Sequence, residues 1–206
     1  MTMDINSADK WEADYLRGSD GWDLGAPTPV FQNLLANGQL SPGRMLVVCA
    51  GRGHDAREFA RHGYQVTAVD FSPFAAREMS RLTDPNTPME ILQQDLFTLP
   101  HKLDGQFDYV LEYTCYCAID PKRRTEFVDL ITRLLRPGGT YISLAFPLLQ
   151  KEGGPPFAFT VSELSQLFQE RGFKLIEREQ SSASVPQRRG AEELLMFQKN
   201  PTSSSG

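Results

Sequence analysis

The chain has no extended run of Lys or Arg, no apolar stretch approaching the roughly eighteen residues that span a bilayer, and few cysteines or histidines. Each scarcity excludes something. With 21 basic against 26 acidic residues the formal net charge is -5, and the basic residues gather only in short groups such as Arg123-Arg124 and Arg188-Arg189. A grip on a phosphate backbone is therefore not expected, and the partner implied is a small molecule rather than nucleic acid or a membrane. The three cysteines, Cys49, Cys115 and Cys117, lie in apolar surroundings without any Cys-x-x-Cys or Cys/His spacing. No metal site is expected, and all three are read as buried reduced thiols, with a redox or nucleophilic role open for Cys115 and Cys117. The opening Met1-Thr2-Met3-Asp4-Ile5-Asn6 lacks the basic start and apolar block of a secretory signal, which leads to the expectation of a soluble, cytoplasmic protein. At 206 residues the chain fits one domain, residues 1–200, and the composition suggests a monomer. Residues 201–206, Pro-Thr-Ser-Ser-Ser-Gly, have nothing to bury and read as a disordered tail.

What is present is an apolar strand that runs straight into glycines. Val47-Val48-Cys49-Ala50-Gly51-Arg52-Gly53-His54-Asp55 reads as strand, bare turn and helix start, and Thr67-Ala68-Val69-Asp70 ends the next strand on a carboxylate. A bare backbone beside a helix N-terminus admits a ligand closely, and an acidic residue about twenty positions on accepts from two ribose hydroxyls. This is an adenosine-cofactor site, with Gly51, Gly53 and Asp70 as its first members. From Gly43 onward strand and helix patterns alternate, which is the signature of a mostly parallel sheet covered on both faces. Strands are expected at 44–50, 64–70, 89–94, 107–113 and 139–146, and helices at 54–62, 73–82, 121–135 and 161–171. Two last strands, 173–180 and 193–199, suit an antiparallel pair. Ahead of them, 10–17 and 29–37 read as short helices.

The cofactor is decided by what surrounds the glycine turn. Asp95-Leu96-Phe97 after the third strand places a carboxylate for the adenine amine beside an apolar neighbour, and Arg136-Pro137-Gly138-Gly139 is a helix-to-strand turn typical of class I methyltransferases. No Tyr-x-x-x-Lys pair serves hydride chemistry, since Tyr109 has Tyr113 at the lysine position. S-adenosylmethionine is thus favoured, and two alternatives stay open: a nicotinamide oxidoreductase and an adenosyl-cofactor binding protein without turnover.

With these pieces together, the chain resembles the thiol and halide methyltransferases, relatives of the thiopurine S-methyltransferases. The resemblance rests on Trp11, Tyr15 and Trp22-Asp23-Leu24-Gly25 with Thr28-Pro29, on Gly51-Arg52-Gly53-His54-Asp55, and on Val69-Asp70-Phe71-Ser72. It continues through Phe107-Asp108-Tyr109, Glu112 to Pro121, Gly153-Gly154-Pro155-Pro156-Phe157 and Val185-Pro186-Gln187-Arg188-Arg189-Gly190. It implies a Rossmann-like α/β fold with a seven-stranded sheet, an N-terminal helical lid over about residues 7–42, and methyl transfer from S-adenosylmethionine, with S-adenosylhomocysteine as product. The acceptor implied is a small soft nucleophile: a thiol or hydrosulfide, or else a halide, thiocyanate or aromatic thiol. Trp11, Tyr15 and Trp22 would cover the cofactor, gaining cation–π attraction of about 1 kcal/mol for a desolvated sulfonium. The family carries a glycine where this chain has Cys49, so that side chain must point away or shift the cofactor.

The remaining candidates follow from position. Phe71, Leu96 and Glu112 join Cys49, Asp70 and Asp95 on the cofactor side. Tyr113, just past the fourth strand, is the candidate for orienting the acceptor or touching the methyl, and Tyr116, Arg124, Phe157 and Arg188 are candidates for the acceptor pocket, the arginines as attractors of an anion. Residues 147–159, rich in Gly and Pro, read as part of the acceptor wall.

Overall fold

A computed structural model describes residues 4–87, 89–148 and 152–201. The expected tail beyond Pro201 lies outside the described residues. The chain starts with two helices, α1 (Ala8–Arg17) and α2 (Pro29–Ala36), and continues as β1 (Arg44–Val48), α3 (His54–Arg61), β2 (Gln65–Asp70), α4 (Pro73–Leu82), β3 (Glu90–Gln93), β4 (Phe107–Tyr113), α5 (Arg124–Leu134), β5 (Leu135–Ala145), α6 (Val161–Gln169), β6 (Phe173–Glu179) and β7 (Glu193–Lys199). The seven strands form one sheet in the order β3-β2-β1-β4-β5-β7-β6. β1, β2, β3, β4 and β5 run parallel, and β7 joins β5 and β6 antiparallel. Chain order leaves β1 toward β2 and then returns to β4 on its other side, so the crevice at the ends of β1 and β4 is where a ligand site belongs.

Alternation along β1 supplies both cores. Met45 and Val47 face α2 and α3 with Phe31, Leu34 and Phe59, whereas Leu46 and Val48 face the opposite layer with Phe127, Ile131 and Phe168 from α5 and α6. Helix starts are chemically marked: Ser72 accepts from the Ala75 amide ahead of Pro73, and Thr160 with Glu163 closes a capping box.

Two local expectations change. Residues 121–123 form a 3₁₀ turn, so α5 starts only at Arg124. The chain also enters the fifth strand earlier than the Pro-Gly-Gly turn implies: Leu135 is extended, fully buried and paired with Phe107, because Pro137 forbids continuing the helix and an apolar residue gains more by joining the sheet. The register then shifts between Phe107 and Tyr109, which absorbs the extra residues.

The cysteine expectation is corrected. Cys49 and Cys115 are joined as a disulfide, with Cα atoms 5.5 Å apart, because they lie just beyond the adjacent ends of β1 and β4; Cys117 is free and buried.

Gly53, expected at the cofactor, instead serves packing. It caps α3 at φ +71°, and a Cβ there would stand 2.6 Å from Met79 Cγ in α4. Gly53→Ala is predicted to cost about 1–3 kcal/mol in urea unfolding, from left-handed backbone strain and overpacking together; an unchanged midpoint would show that α4 yields freely.

Candidate functional site

The site is built on the last residue of β2. Asp70 Oδ2 accepts the Gly51 amide at 2.9 Å and Oδ1 accepts the Ser72 amide at 2.9 Å. A carboxylate offers about four lone-pair positions, so two remain for a ligand after both turns are satisfied. Asp70 is only 7% exposed, and that residual surface faces a cavity of about 540 Å³, within the size range of small-molecule sites. Burial raises its pKa to about 6 against the lowering effect of the Ser72 and Gly51 amides.

Each wall of the cavity comes from a strand end or the N-terminal segment. Gly51 (φ +54°) lies just outside this lining, in a smaller neighbouring cavity, beneath Tyr15, whose hydroxyl would be 3.1 Å from an added Cβ, so only a glycine fits there. Across β2 and β3, Phe71, Asp95, Leu96 and Phe97 line the large cavity. Asp95 accepts the Phe97 amide at 2.9 Å, and the Arg123 guanidinium lies 3.6 Å from the Phe97 ring centroid. Cys49 lines the cavity too, with φ +48°.

The cover is aromatic. Trp22 packs edge-on against Trp11 and Tyr15 at 5.4 and 5.3 Å, Tyr15 stacks on Phe74 at 5.1 Å, and the Trp22 indole donates to the Tyr15 hydroxyl at 3.2 Å. α1 is seated by Glu12, which accepts from Ser72 Oγ at 2.6 Å and from the Phe74 amide at 2.8 Å at the N-terminus of α4.

Four further candidates do not reach this cavity. Glu112 is buried beneath the sheet end, where it accepts the Cys115 and Tyr116 amides at 3.1 Å and the Ser143 hydroxyl. Its burial raises the carboxyl pKa, and its oxygens are consumed by holding the turn after β4. Tyr116 is 1% exposed and packs on Phe159 and Phe127. Arg124 donates to the carbonyls of Phe157 at 3.3 Å and Ala158 at 3.2 Å and covers the Tyr116 ring, so it fixes the segment that Phe157 occupies. Phe157 does not line the cavity, whereas Pro155 and Pro156 do. Of the expected wall at 147–159, residues 149–151 lie outside the described residues.

Tyr113 lines a second, smaller cavity of about 70 Å³, shared with Gly51, Arg52 and His54. Its hydroxyl donates to Glu192 at 2.5 Å, and burial together with that carboxylate raises its pKa far enough to keep it protonated at neutral pH. Arg188 does reach the large cavity. The sequence reading missed Phe74 and Phe146, apolar residues whose spacing signals only core, and the contacts of Arg52; Cys117, for which a redox or nucleophilic role was left open, lines the cavity.

A family model for thiopurine S-methyltransferase matches residues 6–203. The chain belongs to this family. A probable thiol methyltransferase of Arabidopsis thaliana is 34% identical over 97% of this chain and 89% of its own length, and a thiocyanate methyltransferase of Brassica oleracea is 32% identical over 92% and 84%. Among solved structures, the 1,6-didemethyltoxoflavin-N1-methyltransferase of Burkholderia thailandensis, crystallised with S-adenosylhomocysteine, superposes with a TM-score of 0.72 at 23% identity, covering 94% of this chain and 87% of that one. A protein studied for converting a disulfide into a thioacetal during echinomycin biosynthesis gives 0.76 at 22% identity, over 96% and 95%.

Membership decides between the cofactors that the glycine turn alone left open: the enzyme is an S-adenosylmethionine-dependent methyltransferase of class I fold. The cavity fits that cofactor. Asp70 has free acceptor positions that would take a diol, Asp95, Leu96 and Phe71 line the side that would face adenine, and the rings of Trp11, Tyr15 and Trp22 would suit a sulfonium. Among the described residues no helix is long and apolar enough to cross a membrane.

The pKa of Asp70 sets a pH dependence. Ribose hydroxyls donate to the ionised form, so affinity for S-adenosylhomocysteine is predicted to fall as pH drops through about 6, whereas the ligand-free fold gains from the bound proton and loses that gain as pH rises through the same value. Calorimetric titration from about pH 8 to about pH 5 should show the step in the wild type. Asp70→Asn should weaken binding about tenfold and abolish the step; a step that persists in the variant would assign it to another group.

Proposed function

We propose that this enzyme moves the methyl of S-adenosylmethionine onto a small soft anion, a thiolate or hydrosulfide foremost, with thiocyanate or halide as acceptors of the same kind. Arg188 carries the reading. It is 7% exposed, and its guanidinium lies between the rings of Tyr113 and Phe146, 4.9 and 5.0 Å from their centroids. Nη2 donates to the carbonyls of Gly21 at 3.3 Å and Trp22 at 3.0 Å, whereas Nη1 is buried without a partner among the described residues. A buried cation with one idle donor, at a cavity whose lining also includes Ile119, Phe146, Pro155 and Pro156, supports an anionic ligand there.

Bound S-adenosylmethionine supplies a methyl already activated by the sulfonium charge, so the protein's share is alignment and water exclusion. With Asp70 and Asp95 assigned to the cofactor, Tyr113 and Cys117, the titratable hydroxyl and thiol near Arg188, are not suited to take a proton. Tyr113 is held protonated by burial and Glu192, and burial, with Glu112 adding to it, pushes the Cys117 thiol up to about 12. The acceptor therefore has to enter already ionised. Arg188 and the apolar walls would strip its hydration and hold it, which favours polarisable anions that part with water easily. The thiol and thiocyanate methyltransferase names of the relatives agree with this class.

Headspace detection of methylated products from hydrosulfide, small thiols, iodide and thiocyanate tests the proposal. Thiol turnover should rise with pH through the acceptor's own pKa, and thiocyanate turnover should not. Arg188→Met should raise the acceptor KM at least about tenfold. Equal KM values in both proteins, or no product from any of the four, would refute the anion reading.

A further inference from the structure

The loop between α1 and α2 supplies Gly21 and Trp22 to the cavity and has no regular structure from Ser19 to Thr28. A loop of this kind needs anchors to hold an aromatic cover in place. Its anchors are largely ionic. The Arg52 guanidinium bonds Asp20 at 2.5 Å and also bonds Asp23, whose other oxygen lies 3.3 Å from His54 Nε2. The three side chains of the Arg52 pairs retain only 23%, 15% and 10% of their accessible surface, so these contacts are shielded from solvent far better than ordinary surface pairs. Burial alone would raise the Asp23 pKa, but hydrogen bonds from His54 and Arg52 hold it well below the usual carboxylate range. The same guanidinium lies 5.3 Å from both the Tyr15 and Phe74 ring centroids, the stacked pair beneath the cover. Arg52 follows Gly51, whose amide bonds the cavity carboxylate Asp70, so the turn tied to that carboxylate also holds the loop beside the cavity.

We propose that Arg52 is a positioning residue that latches the Asp20–Asp23 loop onto the cofactor turn and so governs retention of the adenosyl cofactor. It acts on the cover and not on the methyl. An open loop would expose the sulfonium end to water and release the cofactor. Because the pairs are hydrogen-bonded and shielded, salt screens them only weakly, and the latch is tested by substitution. The inference concerns the cofactor end and holds whatever the acceptor is.

Both tryptophans of the chain, Trp11 and Trp22, lie in this cover, so intrinsic fluorescence reports on it without any ligand. Arg52→Met is expected to raise acrylamide quenching about twofold and to weaken S-adenosylhomocysteine about tenfold by calorimetry. Asp23→Asn should act likewise, and the double variant should be no worse than the poorer single one. If Arg52→Met does not fold, Arg52→Lys and Asp23→Asn serve in its place. Quenching and affinity both equal to wild type would overturn the latch. A lowered melting temperature with unchanged S-adenosylhomocysteine affinity would likewise reduce Arg52 to a structural residue.

Discussion

The shared carboxylate of Asp70 is the contact on which the site turns. One oxygen ties it to the amide of Gly51 at the end of β1 and the other to the amide of Ser72 at the start of α4, so two adjacent strand ends are held at fixed spacing by a single side chain. Ordinarily a carboxylate buried to this degree would be costly, and here two backbone donors offset part of the cost. The remainder appears as a pKa near 6, which leaves the ligand-free site short of donors and receptive to a pair of hydroxyls. An acceptor with free lone pairs inside a formed cavity would suit a diol, and that physical condition links the fold to the proposed cofactor contact.

Around that anchor the enzyme divides its labour spatially. Ions on the N-terminal loop meet Arg52 at the glycine turn, aromatic rings close the top, and Arg188 reaches up from the segment before β7 to hold the carbonyls of Gly21 and Trp22. Arg188 therefore ties the N-terminal loop to the wall formed by Tyr113 and Phe146. The disulfide between Cys49 and Cys115 joins the two strand ends that flank the switch point.

The parts legible in the sequence were those with short-range signatures. Strands β1, β2 and β4 announce themselves because apolar runs stop at Gly51, Asp70 and Tyr113, and the terminal antiparallel pair follows from two apolar runs with a single intervening loop. Asp70, Asp95, Gly51 and the aromatics Trp11, Tyr15 and Trp22 were nameable because they occupy strand ends or a family motif, and the structure brings them to one cavity or its rim. Glu112 and Tyr116 misled for the opposite reason. They belong to the same motif, but β-strand alternation and the turn after β4 direct them into the interior, where Ser143 and Phe159 claim them. The latch was hidden because Arg52 and its partners Asp20 and Asp23 are about thirty residues apart in the chain, and their encounter depends on where α1 docks on α4. Cysteine pairing was hidden likewise, since it depends on β1 lying beside β4.

The most direct measurement is a crystal structure of the enzyme with S-adenosylhomocysteine. The account predicts both ribose hydroxyls within about 3.2 Å of the Asp70 carboxylate, the adenine beside Asp95 and Leu96, and Trp11 and Trp22 closed over the sulfur. A ribose bound away from Asp70, with the Gly51 and Ser72 amides its only neighbours, would contradict it.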